Sequence, residues 1–148
     1  MVKRPTAHLE DVPLFAGCSR RQLQEVQRAI EVLDVDDDRI IARQGARAEE
    51  LFVVVTGEIR LLRDGRGEAV VNAGQWTDPL AVLVRRARDH SLVAGAGTRV
   101  LVLGRRELTA VIDCVAGVGR RLLTTIAEAE PTVRPRLRLV QPAAGLSR

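Results

Sequence analysis

Leu51-Phe52-Val53-Val54-Val55-Thr56-Gly57-Glu58-Ile59-Arg60-Leu61-Leu62-Arg63-Asp64-Gly65-Arg66-Gly67-Glu68-Ala69-Val70-Val71 reads as strand, glycine break, strand and hairpin in that order. Leu51 to Val55 is a run of apolar, largely β-branched residues, and Gly57 interrupts it. Ile59 to Arg63 resumes as strand. Asp64-Gly65-Arg66-Gly67 is a hairpin turn, because Asp-Gly tolerates the positive φ such turns require. Ala69-Val70-Val71 then pairs back.

Upstream, Arg39 to Ala42 is a short strand and Gln44-Gly45 a turn; downstream, strands resume at Ser91–Ala94 and Arg99–Leu103. Short strands punctuated by glycine indicate an antiparallel barrel or roll. Helical patterns flank it. Ser19 opens a helix with a capping box to Gln22, and Leu23, Val26, Ile30 and Leu33 follow as one apolar stripe. Val12, Leu14 and Phe15 are expected to pack beneath it. Asp34, Asp36, Asp37 and Asp38 end that helix. A calcium loop counted from Asp34 would need Gly sixth and Glu twelfth, where Arg39 and Gly45 stand, so a solvated turn is the reading. After the roll, Leu108, Val111, Ile112 and Val115 share a helix face. Gly117 and Gly119 bend or break it, Arg120–Ala129 forms a last helix, and Pro131 stops it. The expected class is α+β: an antiparallel, jelly-roll-like β-roll with an N-terminal helix and two C-terminal helices.

The chain has 148 residues, which suits one domain over 1–131 followed by a basic flexible tail over 132–148. Hydrophobic residues make up 46% and aromatics only 2%, so aliphatic side chains must build the core. A net charge of +4 does not by itself indicate nucleic acid. Nothing in the sequence is apolar enough to span a membrane, and no export signal is seen, so a cytoplasmic location is expected. Cys18 and Cys114 lack metal-ligand spacing and read as buried thiols. His90 reads as a strand-edge residue rather than a pH switch. The tail carries Arg134, Arg136, Arg138 and Arg148. It is either solvated or a docking element for an acidic partner or a sheet edge.

The order of elements, with four passages in register, resembles the cyclic-nucleotide-binding domain family, as in catabolite activators and protein kinase A regulatory subunits. The passages are Leu9–Phe15, Ile40–Gly45, Leu51–Ile59 and Leu101–Leu108. Gly45 and Gly57 would also suit an unrelated roll such as a cupin, but His8 and His90 are too far apart in sequence for a metal-binding one, and no metal site is expected.

The resemblance implies a phosphate-binding cassette over Gly74–Ala94. In the family, a Gly–Glu pair opens a short helix, and an Arg followed by a small hydroxyl residue closes the site. Helix amides and the Arg hold the cyclic phosphate; the Glu holds the ribose. Asp78-Pro79 stands on the Gly–Glu pair and Leu80-Ala81 begins the short helix. Arg88 stands on the phosphate Arg, and Asp89 on the hydroxyl position. Trp76 falls where an aromatic is usual. Pro79 lacks both the carboxylate and an amide hydrogen, and Asp78 puts negative charge where phosphate would arrive. The cassette residues are therefore Gly74, Asp78, Pro79, Leu80, Ala81, Arg88 and Asp89, in a degenerate form. Two readings of Arg88 stay open. Asp78 or Asp89 pairs with it in an empty pocket, or Arg85, Arg86 and Arg88 form a solvated basic face.

The expected function is a stand-alone, non-enzymatic regulatory or protein-interaction domain with weak or lost nucleotide binding and another protein as partner. The alternative is a working cyclic AMP or cyclic GMP sensor with an atypical cassette. No cofactor is expected beyond a possible cyclic nucleotide ligand. Direct DNA binding is not expected, since family members that bind DNA carry a separate helix-turn-helix region and few residues follow Pro131. A homodimer through Arg120–Ala129 is possible, with Leu122, Ile126 and Ala129 as its seam; burial of that face against the roll is the competing reading.

Overall fold

The computed structural model describes residues 2–4, 9, 12–114 and 117–124. Two four-stranded antiparallel sheets form a β-roll. The first contains β1 (Val2–Arg4), β2 (Glu31–Val35), β8 (Thr98–Gly104) and β4 (Glu50–Thr56), in that spatial order. The second contains β3 (Ile40–Ala42), β7 (Ser91–Ala94), β5 (Glu58–Arg63) and β6 (Arg66–Asn72). Helix α1 (Arg20–Ala29) precedes the roll, α2 (Pro79–Leu83) interrupts it, and α3 (Arg105–Cys114) follows it. Residues 117–124 are helical again. The fold is the expected α+β antiparallel roll.

The apolar run of β4 has a physical cause: the strand is covered on both faces. Leu51 and Val53 join a cluster with Leu14, Phe15, Val26, Leu101, Leu103 and Leu108, outside the roll and under the helices. Phe52 and Val54 point the other way, to Ile59, Val71, Leu92, Ala94, Val100 and Val102 between the sheets. Strand β8 alternates in the same manner. Each such side chain contributes roughly 1.5–3 kcal/mol on burial.

The turn from the first sheet into the second falls on Gly57, at φ +76°, between β4 and β5. The Asp64-Gly65 hairpin forms as expected, with both residues at positive φ. The capping box is present too: the Gln22 amide donates to Ser19 Oγ at 3.2 Å, and the Ser19 amide donates to Gln22 Oε1 at 2.9 Å.

One expectation fails. The apolar stripe through Ile30 and Leu33 does not continue the helix. It ends at Ala29, and Ile30 is already extended. Glu31–Val35 is a strand paired residue for residue with Val102–Thr98. Helical spacing and this strand share the same apolar positions, and the ladder with a distant strand decides between them. The aspartates that follow act within the sheets. Asp34 Oδ1 accepts from Arg99 Nε at 2.8 Å, its cross-strand neighbour, and Asp38 pairs with Arg60.

Leu122 and Val118 are buried in the chain's own core, whereas Leu123 is exposed. At Leu122 the competing reading, burial against the chain's own roll, holds; Ile126, Ala129 and the 132–148 tail lie outside the described residues. Cys18 is a free thiol and only half-buried, with its pKa raised by desolvation against the opposing charge of Arg121. The Cys114 side chain lies outside the described residues.

Candidate ligand site

Helix α2 is short, and its start is built from two side chains. Pro79, buried, takes the first helical position, where its fixed φ suits the helix and the missing amide hydrogen costs no helical bond. Asp78 is the N-cap: its Oδ1 accepts from the Ala81 amide at 3.2 Å, and its Oδ2 accepts from Arg86 Nη2 at 2.7 Å. Arg86 is brought back to α2 because Arg85 adopts a left-handed φ of +58°, after which the Arg86 amide donates to the Ala81 carbonyl at 2.8 Å. Asp78→Ala removes both a cap and a half-exposed ion pair. It is expected to cost about 1–2 kcal/mol, and Asp78→Asn, which keeps a capping oxygen, clearly less. Urea midpoints for the two variants check this; equal losses would show that the cap contributes nothing.

Arg88 is 8% exposed and lies within the fold. Its Nη2 donates to the Glu50 carbonyl at 2.6 Å, and its guanidinium carbon sits 5.5 Å from the centre of the Phe52 ring. That is within reach of a cation–π attraction. Burial lowers the guanidinium pKa, while the charges of Glu50 and Asp78 oppose the shift. The main chain locks this position. The Arg88 amide donates to Ala46, the Gly45 amide to Arg88, and the Ala48 amide to Arg86, each at 2.8–2.9 Å. Beside Arg88, a cleft of about 410 Å³ opens between Arg43, Arg47, Glu49 and Glu50.

The expected partnership of Arg88 with Asp78 or Asp89 needs correction. Asp78 points at the α2 amides, as a cap must, and its direct cationic partner is Arg86. Asp89 is exposed, and Arg88 donates to a main-chain carbonyl instead. The reading of Arg85, Arg86 and Arg88 as one solvated face fails for Arg88 alone, since Arg85 and Arg86 are exposed. Gly74, at φ +88°, ties the cassette's start to β4 through its amide to the Val54 carbonyl at 2.7 Å. Leu80 is half-buried and Ala81 buried on α2.

Phe52 and Glu50 escaped the sequence reading, because each lies more than thirty residues from Arg88 along the chain. The available signal was Phe52's parity with Val54 on the inward face. His90, expected at a strand edge, stands directly before β7 and has a partner that the sequence reading did not name. Its Nε2 lies 2.9 Å from Glu68 Oε1, and Glu68 Oε2 forms an ion pair with Arg63, 2.9 Å from its Nε. Burial pushes the Glu68 carboxyl upward, but the His90 hydrogen bond and the Arg63 charge outweigh it, and the net pKa is lowered. A carboxyl lowered on folding stabilises the fold above its unfolded pKa, and that contribution disappears as pH falls through the folded value. Glu68→Gln is therefore expected to reduce the urea midpoint near pH 7 and to reduce it much less near pH 3. An equal reduction at both values would remove the ionised carboxylate from the account.

The roll has a match among known proteins. The family described as the cyclic nucleotide-binding domain matches residues 32–113. The chain belongs to that family. A cAMP-dependent protein kinase regulatory subunit of Mycosarcoma maydis is 28% identical over 122 residues, covering 76% of this chain and 23% of that protein. A potassium channel of Arabidopsis thaliana is 24% identical over 126 residues, 82% of this chain and 15% of the channel. The chain thus spans less than a third of either relative's length. Among solved structures, the catabolite activator protein of Thermus thermophilus superposes with a TM-score of 0.74 at 25% identity. It covers 86% of this chain and 62% of that one. The regulatory subunit of a cAMP-independent protein kinase A from Trypanosoma brucei shares the fold, with a TM-score of 0.68 at 19% identity over 79% of this chain and 42% of that one. Among the described residues, no helix of this cyclic nucleotide-binding domain is long and apolar enough to cross a membrane.

Proposed function

We propose that this member of the family is a regulatory, protein-interaction domain that binds cyclic nucleotide weakly or not at all. The observation that carries the reading is the Asp78 carboxylate. It accepts from the Ala81 amide and the Arg86 guanidinium, two donors of the kind a phosphate would use, and brings its own negative charge to that position. Pro79 supplies no carboxylate for a ribose hydroxyl. One lost charge-assisted hydrogen bond costs roughly 1.5–3 kcal/mol, and carboxylate–phosphate repulsion raises the penalty to about 3–6 kcal/mol. That corresponds to about two to four orders of magnitude in affinity.

A second reading, a working sensor with an atypical cassette, is favoured by Arg88. It is buried beside an open cleft, at the position the resemblance assigns to phosphate. Its guanidinium carries five donors, and the Glu50 carbonyl takes one of them. Calorimetric titration with cyclic AMP and cyclic GMP separates the two. The proposed function expects no affinity tighter than about 100 μM; a dissociation constant below about 10 μM would establish the sensor.

A further inference from the structure

Next to the Arg88 cleft, and sharing Arg47 and Glu49 with it, a second cavity of about 490 Å³ lies where α2 ends and α3 begins. It is lined by the guanidinium-bearing residues Arg47, Arg85, Arg105 and Arg106, with Glu49 and Glu107. Arg105 is tied into the fold, its Nε donating to the Leu83 carbonyl at 3.1 Å. Arg47, Arg85 and Arg106 are exposed, and among the described residues they form no ion pair. Two further features concentrate positive potential or strain here. Arg105 and Arg106 occupy the first turn of α3, the end at which a helix favours anions over cations. Arg85 is held at a left-handed φ of +58°, which a β-carbon makes unfavourable.

We infer that this cavity docks an acidic segment of a partner protein. The inference deepens the proposed function and rests on the domain being an interaction module. The lining argues for a peptide over a phosphate chain. Glu49 and Glu107 sit among the arginines and repel a ligand that carries only acceptors. A peptide brings carboxylates for the guanidinia and amide N–H groups for the two glutamates. Among the described residues, no aromatic side chain lines the cavity to stack a nucleobase, and Ala48 is the only apolar one that does. Recognition therefore runs through charge and falls with added salt.

The test uses the full chain and a fluorescently labelled short polyglutamate peptide, followed by anisotropy. Binding at low salt is expected, weakening as salt is added. Arg47→Ala/Arg106→Ala is expected to weaken it about tenfold with an unchanged melting temperature. Arg85→Gly is expected to weaken it while raising or preserving the melting temperature, since glycine accepts the left-handed backbone. Arg20→Ala/Arg21→Ala, on exposed α1 positions, is the control and should bind as the parent does. Three results would each overturn the inference: absence of peptide binding, an equal loss in the control, or displacement of the peptide by tripolyphosphate at lower concentration than by unlabelled peptide. Cyclic AMP titration of the same proteins keeps the two claims apart. Nucleotide affinity below about 10 μM refutes the lost-ligand reading whatever the peptide does. Failure of the peptide alone refutes only the docking site.

Discussion

Asp78→Gly/Pro79→Glu is expected to bind cyclic AMP at least about a hundredfold more tightly than the parent chain, the lower end of the penalty argued for the present cassette. The first substitution removes the carboxylate that occupies the Ala81 amide and frees Arg86. It is cheap for the helix, because glycine replaces an aspartate cap at a cost of a few tenths of a kcal/mol. The second restores an amide hydrogen at the start of α2 and supplies a carboxylate acceptor. Pro79 is buried, so that carboxylate is desolvated until a ribose hydroxyl donates to it. The double variant should therefore melt below the parent without ligand and gain more from cyclic AMP than the parent does. Asp78→Gly alone is expected to fall between the two in affinity. Calorimetry together with melting curves measures all three proteins. A folded double variant with parental affinity would mean that Asp78 and Pro79 are not what limits binding.

Gly57→Ala is expected to destabilise the domain by about 3–5 kcal/mol, a fall of roughly 10 °C in melting temperature for a chain of this size. A β-carbon at Gly57 would lie 2.5 Å from Thr98 Oγ1, 2.6 Å from its Cα and 2.9 Å from its backbone nitrogen. Thr98 cannot step aside. Its hydroxyl lies 2.7 Å from the Gly95 carbonyl and 2.9 Å from the Glu58 carbonyl, and it accepts from the Glu58 amide at 3.2 Å. These bonds hold the corner where β4 leaves the first sheet and β5 enters the second, so the clash falls on the link between the two halves of the roll. The φ of +76° adds a strain of its own. Gly65→Ala is the control. Its φ is +80°, but a β-carbon there meets nothing within 4 Å, and only about 1 kcal/mol is expected. Chemical denaturation of the two variants gives the comparison. Equal midpoints would show that the Gly57–Thr98 approach is soft and that left-handed φ alone sets the cost.

What the residues determined by themselves is whatever depends on near neighbours in the chain. Ser19 and Gln22 cap α1 across one turn. Asp64-Gly65 folds the hairpin because its own dihedrals permit it. Leu51–Val55 declares a strand, and Gly57 the break that ends it. The resemblance, too, could be placed from short passages in order.

Tertiary structure decided whatever depends on partners far along the chain. Glu31–Val35 is a strand because β8 pairs with it, although its apolar spacing continues that of α1. Arg88 meets Phe52 and the Glu50 carbonyl only after the 43–49 loop is zipped to residues 86–88, and His90 meets Glu68 only across the second sheet. Asp78 pairs with Arg86 rather than Arg88 because the left-handed turn at Arg85 returns the chain to the head of α2. The order of residues carries local dihedral and capping preferences; which charge faces which is settled by backbone ladders that bring distant segments within a few ångströms.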